Sequence, residues 1–257
     1  MSKYSKEYYD ERYRNQVAGI SADLRRAYLY KARLRMLKRL NITGKVVLEV
    51  GCGSGPMTKY LVNDYSEVNA IDISSEAIKI CKSHLKNNNL NLQVALAEEL
   101  PFEDSSIDII FAYDVFEHIE KLEVALAESS RVLKNDGILY FSVPNPNSLG
   151  AKLKGRFPEY RGLPLSQRRD QWFGWQDDTH INILPINEWR SKVSNYNFKI
   201  IKDGTDYWWD SPYVRWLPVF FQDAVCKILQ RVLTRISYFA NWHLGENYIG
   251  IYQKKIK

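Results

Sequence analysis

Val46-Val-Leu-Glu-Val-Gly-Cys-Gly-Ser-Gly-Pro56 joins a short apolar run to a glycine-rich turn. An apolar run this short, bounded by turn residues, fits a parallel strand buried on both faces. Glycines directly after it let the backbone take positive φ and approach a ligand closely. Pro56 suits the first turn of the following helix, where its missing N–H costs nothing, and that helix is expected to reach about Asn63.

Upstream, residues 21–40 place Leu24, Tyr28, Leu29, Ala32, Met36, Leu37 and Leu40 at helical spacing, with basic residues on the other side. Downstream, strands are expected at Glu67–Asp72, Leu92–Leu96, Ile107–Tyr113 and Ile138–Val143. Between them lie a helix capped by Ser75 and a helix over Lys121–Leu133, followed by the turn Lys134-Asn-Asp-Gly137. Strand alternating with helix predicts an α/β fold, a mostly parallel sheet with helices on both faces.

After Pro144 the rhythm breaks. A helix at Ile186–Asn195 and strands at Phe198–Lys202 and Asn247–Gln253 complete a sheet of seven strands. The stretches 145–184 and 205–246 are irregular, rich in aromatics, and long enough to be substrate lids. The expected organisation is one domain over 1–257, with a helical cap at 1–40 and a core at 41–144. The second insert holds a helical run, Val219–Phe239, carrying Lys227, Arg231 and Arg235. Packing on the sheet or at a dimer interface is the expected use of that helix, with contact to a membrane surface as the alternative.

The net charge is +6, but it is dispersed. Its densest cluster, Arg25, Arg26, Lys31, Arg33, Arg35, Lys38 and Arg39, reads as a solvated helix face, and no basic-aromatic RNA motif accompanies it. Cys52, Cys81 and Cys226 form no CxxC pair, and the His and acid residues lack metal-ligand spacing, so no metal is expected. Unpaired cysteines and a polar start point to a reduced, cytoplasmic setting. No run reaches the ~18 apolar residues of a membrane span.

A glycine turn alone admits several nucleotides. Glu49 precedes Gly51 by two positions, and Asp72 closes the next strand, where an acid can accept hydrogen bonds from both hydroxyls of a ribose. A nicotinamide site would use G-x-G-x-x-G, but the third glycine position holds Pro56, which argues against an oxidoreductase.

Val46–Gly55, Ile71-Asp-Ile-Ser74, Glu99-Leu-Pro-Phe102 with Ser106-Ile-Asp-Ile-Ile110, Asp114-Val-Phe-Glu-His118 and Arg131–Leu139 together resemble the class I S-adenosylmethionine-dependent methyltransferases of the ubiquinone-methyltransferase-like type. The resemblance implies a Rossmann-like seven-stranded fold with lid insertions and S-adenosyl-L-methionine as cofactor, leaving as S-adenosyl-L-homocysteine. It implies that Gly51, Cys52 and Gly53 hold the methionine part, Asp72 the ribose, and Ile73 the adenine face. It places Ala97 and Glu98 at the adenine edge and Tyr113 near the cofactor's amino group. Relatives often carry an acid for the adenine amino group where this chain has Leu96.

Glu49 could reach the cofactor's ammonium through water or cap loop amides. His118 could be a general base or pack beside the cofactor, and His180 could be a base or a loop anchor. Tyr9 and Tyr13 share one helical face that would fold over the cofactor or simply pack, and Trp172, Trp175 and Trp208 are acceptor-pocket candidates. The expected activity is O-methylation of a hydroxyl or carboxyl on a secondary metabolite or sugar, by a monomer or homodimer without nucleic acid. N-methylation and a cofactor-binding module without catalysis are the other readings.

Overall fold

The computed structural model describes residues 5–15, 30–42, 44–154, 179–206, 217–236 and 244–256. Strands β1 (Val46–Val50), β2 (Glu67–Asp72), β3 (Leu90–Val94), β4 (Ile107–Tyr113), β5 (Leu133–Pro144), β6 (Phe198–Thr205) and β7 (Asn247–Lys254) make one sheet in the order β3-β2-β1-β4-β5-β7-β6. Four pairings are parallel, and β7 runs antiparallel to both its neighbours. Helices are α1 (Lys6–Asn15), α2 (30–39), α3 (Thr58–Asp64), α4 (Ser75–His84), α5 (Leu122–Val132), α6 (Leu149–Lys154), α7 (Ile186–Ser194) and α8 (Val219–Ile236).

Successive strand residues point to opposite faces, so the apolar runs feed two cores. Val47, Ile109, Phe111 and Tyr140 pack with Met36, Leu37 and Leu61 on one face. Leu48, Ile110, Leu139 and Phe141 pack with Leu126, Trp189 and Val193 on the other. That double burial is why β1 and β4, apart from Glu49 and Asp108, read as apolar runs rather than alternating ones.

Several boundaries differ from expectation. β3 begins at Leu90 rather than Leu92, and Leu96 sits outside it in an isolated bridge to Glu99. β5 begins at Leu133, because the expected turn at Lys134–Gly137 is absorbed into the strand as an irregularity between Ile107 and Ile109 pairings, with Asp136 at φ 63°. Ser74, not Ser75, caps α4 by accepting from the Ala77 amide. Arg33 is no part of a solvated face. It is 4% exposed and paired with Asp206, while Lys31, Arg35, Lys38 and Arg39 are exposed. Among the described residues, no helix is long and apolar enough to cross a membrane.

Candidate functional site

The chain runs outward from β1 to β3, then crosses back to β4. The strand order therefore reverses between β1 and β4, which opens a crevice at their carboxyl ends. The glycine turn closes β1 there. Gly51 and Gly53 take φ of 71° and 55°, a region that favours glycine. A Cβ on Gly51 would come 2.4 Å from Val115 Cγ2, and one on Gly53 would come 2.7 Å from the Tyr13 hydroxyl. The turn is thus pressed between the end of β4 and the N-terminal helix.

Asp72, buried at the end of β2, ties this turn in place. Its Oδ2 accepts from the Gly53 amide at 2.9 Å and its Oδ1 from the Ser74 amide at 2.8 Å. Burial raises its pKa, while both amides pull the other way. Each carboxylate oxygen keeps a further lone pair for a ligand hydroxyl. Ile73 is half-buried beside it. Ala97 and Glu98 form a half-buried turn whose approach is fixed by the Ala95 amide donating to the Asp72 carbonyl at 3.1 Å. The far end of that segment is held by Arg131, which donates to the carbonyls of Leu100 at 2.9 Å and Phe102 at 2.8 Å.

α1 closes over this region. Asp10 accepts from the Ser74 hydroxyl at 2.6 Å, the Ser75 hydroxyl at 3.0 Å and the Glu76 amide at 3.1 Å, so it docks α1 on the first turn of α4. Tyr13 is thereby driven against the glycine turn, where burial raises its pKa. Tyr9 shares the half-buried side of α1.

Glu49 lies buried beneath the turn and accepts from the Thr58 hydroxyl at 2.6 Å. Burial lifts its pKa to about 8, with the Thr58 bond opposing. A carboxyl that holds its proton more tightly when folded stabilises the fold fully below about 4.5, and that contribution is lost as pH rises through about 8. Thermal unfolding of the cofactor-free protein should therefore fall over this window. Glu49→Gln, which cannot ionise, should flatten the fall; an identical pH profile in the variant would show that Glu49 is not the group responsible.

Beyond β4, Asp114 takes φ 54° and a 3-10 turn spans Phe116–His118. The segment after residue 178 is stitched to that turn. The Ile181 and Asn182 amides donate to the Glu117 carbonyl at 2.8 and 2.9 Å, and the Asn182 side chain donates to the Phe116 and Ile119 carbonyls at 3.0 and 2.6 Å. The result sets the His118 and His180 rings 4.7 Å apart between centroids. Sequence spacing gave no sign of this pairing.

Arg33 was also missed. Its guanidinium stacks 3.7 Å over the Tyr113 ring and lies 3.4 Å from Asp206. Its Nε and Nη1 find no hydrogen-bond partner among the described residues. A buried guanidinium with two donors in reserve suits a carboxylate. Its signal was available only as a cation on the apolar side of the helical pattern, one position after Ala32. Trp172, Trp175 and Trp208 lie outside the described residues.

Residues 48–141 match the family described as a methyltransferase domain. The chain is 38% identical over 211 residues to an uncharacterized protein of Methanocaldococcus jannaschii, covering 77% of this chain and 72% of that protein. It is 26% identical over 187 residues to a ubiquinone biosynthesis O-methyltransferase of Glaesserella parasuis, covering 63% of this chain and 79% of the relative. Among solved structures, an S-adenosylmethionine-dependent methyltransferase of Thermotoga maritima superposes with a TM-score of 0.62 at 16% identity, covering 97% and 98% of the two chains.

Proposed function

Because the chain belongs to the class I S-adenosylmethionine-dependent methyltransferases of the type 11 family, we propose that it methylates a hydroxyl or carboxyl oxygen on a small molecule, a secondary metabolite or sugar. The observation that carries the choice of oxygen is the histidine pair. A sulfonium methyl is already activated, so alignment and exclusion of water supply much of the rate, and alignment alone can supply ~7–11 kcal/mol. A hydroxyl acceptor gains further from a group that removes its proton, which a free amine does not need. His118 and His180 stand together at the end of β4, beside Val115, which packs on Gly51.

In this reading Asp72 receives the ribose hydroxyls, Gly51, Cys52 and Gly53 line the methionine part, and Glu49 sits beneath its ammonium. Ile73, Ala97 and Glu98 border the adenine. Tyr113 and Arg33 take the cofactor's polar end, with Arg33 meeting a carboxylate. Tyr9 and Tyr13 cover the cofactor, and the stretches 145–184 and 205–246 supply the acceptor pocket with Trp172, Trp175 and Trp208. In the transfer, the acceptor loses its proton towards the histidine pair. The new O–C bond forms as the C–S bond breaks, and neutral S-adenosylhomocysteine leaves.

The test is a mass-spectrometric screen of hydroxylated, carboxylated and amine acceptors with S-adenosylmethionine, seeking the gain of one methylene. An oxygen acceptor is expected, and His180→Ala should slow its turnover by roughly 10²–10⁴-fold. Turnover of amines alone, or a His180→Ala rate equal to the parent at every pH, would refute this assignment.

A further inference from the structure

We propose that Glu117, His118 and His180 form a binding site for one divalent transition-metal ion that acidifies the acceptor's hydroxyl, so that with the ion bound the two imidazoles act as ligands and the hydroxyl's proton leaves to water. The inference rests on the O-methylation reading above and deepens it. One ligand atom from each of the three side chains lies within 4.8 Å of the others. Two imidazole nitrogens and one carboxylate oxygen make a set that suits Zn²⁺, Co²⁺, Mn²⁺ or Fe²⁺ and leaves coordination positions open for a further oxygen. Metal–ligand bonds of ~2.0–2.2 Å place neighbouring ligand atoms roughly 3–3.5 Å apart, so the three atoms, now within 4.8 Å of one another, draw closer on binding.

A second observation is the hydrogen bonding around His118. The Thr179 carbonyl oxygen lies 3.1 Å from His118 Nδ1, with the Thr179 hydroxyl at 2.8 Å. A carbonyl only accepts, so Nδ1 carries the proton and Nε2 keeps its lone pair. A backbone carbonyl on the far ring nitrogen is the arrangement that orients metal-bound imidazoles and raises their basicity.

A third is burial and rigidity. Glu117 is 1% exposed, at a depth where a carboxylate is stabilised by a cation. Its backbone carbonyl receives the Ile181 and Asn182 amides, so the element bearing His180 is fixed against the element bearing Glu117 and His118. The three ligands are thus held together by main-chain bonds before any ion arrives, which lowers the cost of binding one.

The test uses the full chain, stripped with a chelator and titrated with Co²⁺ under calorimetry and visible absorption. One Co²⁺ per chain is expected, with ligand-field bands. Glu117→Gln and His118→Ala should each weaken Co²⁺ at least tenfold. Binding of S-adenosylhomocysteine in the same samples reports that each variant is folded. Failure of Co²⁺ to bind the parent chain, or equal affinity in Glu117→Gln and His118→Ala, overturns the site. Because the readout is ion affinity, it is separate from the acceptor screen. A chain that methylates oxygen without binding Co²⁺ loses the metal site alone, and one that binds Co²⁺ but methylates only amines loses the oxygen assignment alone.

Discussion

Asp72→Ala weakens S-adenosylhomocysteine binding by roughly a hundredfold or more in calorimetry. Hydrogen bonds to a charged group contribute ~1.5–3 kcal/mol each. Two lost ribose contacts therefore exceed ~3 kcal/mol, or two decades of affinity. The substitution reaches further than the ligand. Asp72 also accepts the Gly53 and Ser74 amides, so its removal strands two buried donors and loosens the glycine turn from the first turn of α4. Asp72→Asn keeps an acceptor oxygen for one of these groups and should fall between the parent and Asp72→Ala. An unchanged dissociation constant in Asp72→Ala refutes the ribose assignment.

Gly51→Ala should lower the unfolding temperature by roughly 5–15 °C and weaken the cofactor at least tenfold. Two separable causes act. A φ of 71° strains any residue with a side chain by ~1–2 kcal/mol. The new Cβ also meets Val115 Cγ2 at 2.4 Å, which drives the end of β4 and the turn bearing His118 away from the crevice. Val115→Ala in the same chain removes the collision but not the strain. The double variant should recover part of the lost stability, and the recovered share measures the steric contribution. A Gly51→Ala protein as stable as its parent would show that the turn does not hold this conformation.

The candidate cofactor half of the site was legible because its proposed residues stand at the ends of strands. Apolar runs at Val46–Val50, Glu67–Asp72 and Ile107–Tyr113 mark those strands, and a parallel sheet brings their carboxyl ends to one edge. Gly51 and Asp72 follow as candidates from the strand pattern with no knowledge of packing, whereas the place of Tyr113 near a cofactor rests on the family resemblance. Boundaries were less legible. Leu133–Gly137 carries turn-forming residues, yet the pairing of Leu133 with Ile107, followed across a register shift by Ile138 with Ile109, draws the segment into β5. Ser74 and Ser75 are equal as caps by composition; both hydroxyls donate to Asp10 of α1, and it is Ser74 Oγ that also accepts the Ala77 amide and so caps α4.

The α/β fold class and the seven strands were readable from the chain alone, because periodicity is a local property, and the strand-end motifs carried the family resemblance that implied the cofactor. Only the tertiary structure decided what meets across long separations. It buried Arg33, read as a solvated cation, against Asp206 at a separation of 173 residues. It also brought His180 to Glu117 and His118, where linear spacing had argued for no metal ligands. The reason is physical. Metal and proton chemistry depend on side chains a few ångströms apart, and here main-chain bonds from Ile181 and Asn182 to the turn after β4 set that distance.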